Sequence, residues 1–111
     1  MNLNIKHRFW IESENVKFLG SGRIELLEKI DRLGSINKAA AEMKMAYRKA
    51  WGLIKDMNEI SDKPLVIKQT GGKHGGGTYV TPEGKKAIEL YKDLEVELQT
   101  FLQHSKTRLR L

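Results

Sequence analysis

The stretch Ser35–Asn58, SINKAAAEMKMAYRKAWGLIKDMN, constrains the fold more than any other, because it asks for two short helices meeting at a sharp break. Ile36, Ala39, Ala40 and Met43 recur at helical spacing and share one face of a first helix. Ser35 precedes them as an N-cap whose side-chain oxygen can accept from an otherwise unpaired backbone N–H. Ala50, Ile54 and Met57 mark the inner face of a second helix, extended by Leu53 and Ile60. Met43 to Ala46 must hold the turn, with Met45 pointing inward. The paired alanines let two helices cross closely at a steep angle. The other face of the second helix offers Tyr47, Arg48, Lys49, Gly52 and Lys55. Cations for phosphates and guanine, a phenol, and a glycine that permits close approach suit a helix lying in a DNA groove.

The flanking segments support that reading. After the second helix, Ser61-Asp62-Lys63-Pro64 reads as a loop and Leu65–Gln69 as a strand. Thr70–Thr78, TGGKHGGGT, holds five of the ten glycines, and Tyr79-Val80-Thr81 resumes strand character. A hairpin at this position, over 65–81, is a wing. Its glycines let backbone run close to phosphates, while Lys68, Lys73 and His74 supply charge. A nucleotide-cradling loop is the rival reading. It fails at Lys73, which is followed by His74-Gly75 where a phosphate loop needs Ser or Thr, and no βαβ unit surrounds it. A purely structural hairpin is the other alternative.

Before the central pair, Leu3, Ile5, Phe9 and Ile11 fall on one side of a two-residue repeat, so Met1–Glu12 reads as a strand, with a second short strand within Ser13–Gly20. Trp10 falls on the other face, which is either covered too or left open to solvent. Ser21 is a candidate cap for an amphipathic helix over Arg23–Leu33, carrying Ile24, Leu27 and Ile30 and closed by Gly34. At the other end, Thr81-Pro82-Glu83 is a helix start. Ala87, Tyr91, Leu94, Leu98 and Phe101 then recur as a heptad seam. A helix over 82–104 would be about 35 Å long. That exceeds what a small core needs, so Tyr91, Leu94, Leu98 and Phe101 are expected to pair with a second copy of the chain; the alternative is that the whole seam packs on its own domain. The tail from Ser105 is basic and expected to fray.

With 111 residues, the chain has the length of one domain with one modest core. No apolar run reaches the roughly 18 residues of a membrane span, and Met1–Glu12 lacks the apolar run of a signal peptide. The absence of cysteine excludes disulfides, thiolate metal sites and cysteine nucleophiles. A cytoplasmic protein is expected. The net charge of +6 is unevenly placed: residues 35–81 hold eight basic and four acidic residues, whereas 1–34 and 82–111 each hold six and five. Basicity concentrated there points to a polyanion-binding face.

These motifs together resemble a known family. Ser35–Asn58 is similar to the winged helix-turn-helix of LysR-type regulators. It is more similar still to the DNA-binding domain of the ModE family of molybdate-responsive regulators. The strings that carry the resemblance are Gly34–Ala40, Ala46-Tyr47-Arg48-Lys49-Ala50-Trp51, the glycine-rich Gly71–Gly77 and Val80–Gly84. It covers roughly residues 3–102. One departure is Ala46, where the family usually has a serine that caps the recognition helix. The resemblance implies binding of double-stranded DNA and dimerisation through the N- and C-terminal parts. It does not imply molybdate sensing, since the family's molybdate-binding domains are absent from these 111 residues.

The expected architecture is therefore α+β: a winged helix-turn-helix with N-terminal strands over 1–20, a three-helix core over 21–61 with the helix-turn-helix at 35–61, the wing, and a long C-terminal dimerisation helix. The expected function is sequence-specific binding of palindromic DNA by a homodimer. Tyr47, Arg48, Lys49, Gly52, Lys55, Lys68, Lys73 and His74 would face DNA. Trp51 either lies under the recognition helix as core or touches a thymine methyl. The alternative is a protein-interaction module on the same scaffold. No cofactor or metal site is expected. His7, His74 and His104 are scattered without ligand spacing, and no acid, base and nucleophile are brought together as an enzyme requires.

Overall fold

The computed structural model describes residues 2–69 and 77–110. Its elements run β1 (Trp10–Ser13), β2 (Val16–Gly20), α1 (Ser21–Leu33), α2 (Ile36–Glu42), α3 (Tyr47–Ile60), β3 (Val66–Gln69), β4 (Gly77–Val80) and α4 (Pro82–Ser105), with a last 3₁₀ turn at Lys106–Arg108. This is an α+β winged helix-turn-helix. The two strand pairs among the described residues are separate antiparallel hairpins.

Alternation alone does not make a strand. Residues 2–9 keep the expected half-buried, exposed rhythm, but the ladder begins only at Trp10. The arm lies along α4 rather than beside another strand: Phe9 stacks on Tyr91 with ring centroids 4.5 Å apart, and the Lys106 ammonium donates to Asn4 Oδ1 at 3.0 Å. The β1–β2 turn places Glu14 and Asn15 both at positive φ, as a tight two-residue hairpin requires. The ladder then skips Phe18, a bulge that turns β2 into α1. Trp10 is exposed, so its face is open to solvent at this residue. Its indole N–H donates to Glu12, and Lys17 lies over its ring.

Helix boundaries follow local chemistry. Gly34 ends α1 at φ 68°, its N–H bonded to Ile30 O. Ser35 Oγ accepts from Lys38 N at 3.2 Å and caps α2. Ser21 does not cap α1. The cap position is Gly20, and Ser21 is already the first helical residue. The helix-turn-helix bend puts Lys44 at φ 54°, where a residue with a Cβ is strained. Met45 N–H closes the bend onto Ala40 O at 2.9 Å, with its side chain half-buried against the core.

The core is the meeting of three inner faces: Ile24, Leu26, Leu27 and Ile30 of α1, Ile36, Ala39 and Ala40 of α2, and Ala50, Ile54 and Met57 of α3. Leu65, Val66 and Val80 seat the wing hairpin on that core, and Ala87 and Tyr91 seat the first half of α4. Thr81 fastens the junction. Its hydroxyl accepts from Gly84 N and donates to Pro64 O at 2.7 Å, while its N–H reaches Leu65 O. Gly84 is required here, because a Cβ would stand 2.3 Å from Leu65 O. The distal half of α4 projects beyond the core. The radius of gyration is accordingly 17.0 Å, against about 13 Å for a compact chain of this length. No helix among the described residues is long and apolar enough to cross a membrane.

Candidate nucleic-acid interface

Burial of Ala50, Ile54 and Met57 fixes the rotation of α3. Arg48, Gly52 and Lys55 then occupy the middle of the outward face, Tyr47 and Trp51 the flank toward β3, and Lys49 the opposite flank, by the 100° step of a helix. Apart from its neighbours and the backbone of its own helix, no atom lies within 4 Å of where a Gly52 Cβ would stand, so the fold itself does not require glycine at this position. Ala46 is the N-cap of α3 and makes no side-chain capping bond. The first amide groups of this helix are thus left without that internal acceptor.

Trp51 is not core. It lies one residue from buried Ala50, about 100° round the helix, and is 39% exposed, as is Tyr47. Sequence spacing allowed either placement because Trp51 is apolar and adjoins the buried face. Lys68 of β3 reaches across to both rings. Its ammonium lies 5.9 Å from the Tyr47 centroid and 5.8 Å from the Trp51 centroid, and donates to Tyr47 Oη at 3.2 Å. These distances are those of cation–π contacts. The wing strand and the second helix thereby share a polar clasp. Lys73 and His74 lie outside the described residues.

A second clasp escaped the sequence reading. Asn58 Oδ1 accepts from Leu65 N at 2.8 Å and Val66 N at 3.3 Å, while its amide donates to Val66 O at 3.0 Å. One side chain therefore joins the end of α3 to the start of β3. The signal was present as a polar residue one position from buried Met57, but its partners follow a loop and cannot be assigned by helical period. On the other side of the hairpin, Thr78 N–H bonds to Gly34 O at 3.1 Å. The wing is thus tied to two helices.

Charge is distributed unequally. Lys29 and Arg32 pair with Glu42 at 3.5 and 2.6 Å, Lys85 with Asp31 at 3.9 Å, and Lys92 with Glu28 at 3.5 Å. The hydrogen bond from Arg32 holds the Glu42 carboxyl below its ordinary value of 4.5. Among the described residues, none of the ion pairs involves α3, β3 or β4. Arg48, Lys49, Lys55 and Lys68 therefore stand outside any ion pair, around two exposed aromatic rings.

The expected dimer residues separate into two sets. Tyr91 is buried in its own chain, stacked on Phe9 with its hydroxyl donating to Phe9 O at 2.8 Å; burial pushes that phenol above its usual pKa of 10.0. Leu98 is half-buried, whereas Leu94 and Phe101 are exposed, Phe101 by 62%, and Leu90 extends their stripe. Among the described residues no group of three or more His, Cys, Asp or Glu could hold a metal ion.

Comparison with known proteins agrees with this geometry. The bacterial regulatory helix-turn-helix protein, lysR family, matches residues 22–85. Among curated proteins, the chain is 43% identical over 91 residues to the molybdenum transport protein ModE of Azotobacter vinelandii, covering 82% of this chain and 34% of that protein. It is 41% identical over 85 residues to the transcriptional regulator ModE of Haemophilus influenzae, covering 77% and 33%. It is 42% identical over 82 residues to the DNA-binding transcriptional dual regulator ModE of Escherichia coli, covering 74% and 31%. The chain thus spans about a third of the length of these relatives. It belongs to the lysR-type bacterial regulatory helix-turn-helix family.

Proposed function

We propose, from that membership, that the chain is a DNA-binding transcriptional regulator that reads a palindromic site as a homodimer and so acts in the cytoplasm. The observation that carries this reading is the set of unpaired cations on α3 and β3: Arg48, Lys49, Lys55 and Lys68 on one face, without a carboxylate within ion-pair distance among the described residues. The α3 helix enters the major groove, with Arg48 as the base reader and Gly52 giving close approach. Lys55 on the outward face and Lys49 on its flank meet phosphates. Lys73 and His74 extend the contact from the wing segment. The exposed stripe of Leu90, Leu94 and Phe101, with Leu98 beside it, packs against its equivalent in a second copy, and Tyr91 and Phe9 stiffen the helix from beneath.

The test is recovery of genomic DNA fragments by the purified chain at two salt concentrations, followed by sequencing. The expected result is a palindromic site whose half-sites lie about 34–36 Å, one helical turn, or a multiple apart. Retention without an enriched sequence would leave a non-specific binder. No retention at low salt would overturn DNA binding and put the protein-interaction module in its place.

A further inference from the structure

Arginine and lysine account for attraction to phosphate and guanine, but not for the two aromatic rings beside them. Trp51 and Tyr47 lie one helical turn apart, each 39% exposed, on the flank where α3 meets β3. Neither is needed by the core, which closes through Ala50, Ile54 and Met57. The Lys68 ammonium sits within 6 Å of both ring centroids and bonds the phenol, so the rings are held in place before any partner arrives. An ordered apolar edge loses little side-chain freedom on binding. Next to Trp51, the open space around Gly52 lets a surface approach the helix backbone.

In the major groove the one apolar group displayed by any base is the 5-methyl of thymine. We propose that Trp51, with Tyr47 beside it, recognises thymine through that methyl group. This rests on the DNA-binding reading above. It makes Trp51 a determinant of sequence preference separate from Arg48: one reads an apolar group, the other acceptor atoms.

The experiment uses the full chain and the site recovered from genomic DNA. Each thymine is replaced in turn by deoxyuridine, which removes the methyl and leaves the hydrogen-bonding edge intact. The chain, Trp51→Ala and Trp51→Phe are compared, with circular dichroism and the salt dependence of binding confirming that the variants fold and still engage phosphate. At one or two thymines per half-site, deoxyuridine should weaken binding by the chain about fourfold, the value of one buried methyl. Trp51→Ala should bind thymine and deoxyuridine alike at those positions, and Trp51→Phe should keep part of the difference. Sequence-specific binding in which every replacement is neutral, or in which Trp51→Ala retains the full methyl dependence, would overturn the assignment while leaving DNA binding standing. Absence of specific binding by the unmodified chain would overturn both.

Discussion

On the face formed by α1 and α4, Lys29, Arg32, Lys85 and Lys92 each stand within 3.9 Å of a carboxylate, whereas on the face formed by α3 and β3, Arg48, Lys49, Lys55 and Lys68 have none among the described residues. The residue types are the same and the surroundings are not. The first set is engaged in exposed ion pairs, which contribute little to stability. The second set has no ion pair among the described residues, and of its four members Lys68 alone is held, by the Tyr47 and Trp51 rings. A cluster of this kind is explained by something outside the chain, and a polyanion is the matching chemistry.

The largest predicted effect breaks the frame that carries both faces. Gly84→Ala drives a Cβ toward Leu65 O, where the α4 start crosses the β3 start, and should lower stability by about 3 kcal/mol in thermal or denaturant unfolding. Asn58→Ala loosens only the α3–β3 face. It leaves Leu65 N–H without its acceptor and should cost about 1–3 kcal/mol of stability. Unchanged unfolding would mean that water replaces the clasp at no cost.

Arg48→Ala and Lys92→Ala sharpen the contrast directly. The first should weaken binding to the specific site by about 1–3 kcal/mol and leave stability within about 0.5 kcal/mol. The second should leave affinity unchanged. An equal loss on random DNA would show that Arg48 meets phosphate rather than a base. The smallest effect is on the paired face. Because Arg32 and Lys29 depress the Glu42 pKa, its contribution is present above 4.5 and lost as pH falls through the lower folded value. Glu42→Gln should therefore be slightly less stable than the unmodified chain at neutral pH, and the difference should vanish in acid. A difference that persists unchanged in acid would trace to packing rather than charge.

Much of this was legible in the sequence because the deciding interactions are local. Gly34, Ser35 and Thr81 terminate or cap helices through atoms within four residues, and the Ala39-Ala40 face declares itself by period. What period cannot supply is the identity of a partner distant in the chain. The alternating arm at residues 2–9 lies on α4 instead of in a sheet, since alternation specifies a face but not what covers it. Ser21 loses the cap position to Gly20 because β2 runs directly into α1. Trp51 is apolar and adjoins the buried face, yet its ring is turned to Lys68, seventeen residues on. Asn58 carries three bonds to the wing, to partners beyond a loop that helical period cannot assign.

The most direct measurement is the slope of log affinity against log salt for the recovered site, taken for single alanine variants of the two sets of cations. Replacing Lys49 or Lys55 should each lower the slope by about 0.9, one counterion per lost phosphate contact, while replacing Lys29, Lys85 or Lys92 should leave it unchanged. Equal slope changes for both sets would contradict the division of the surface into a paired face and a DNA-binding face.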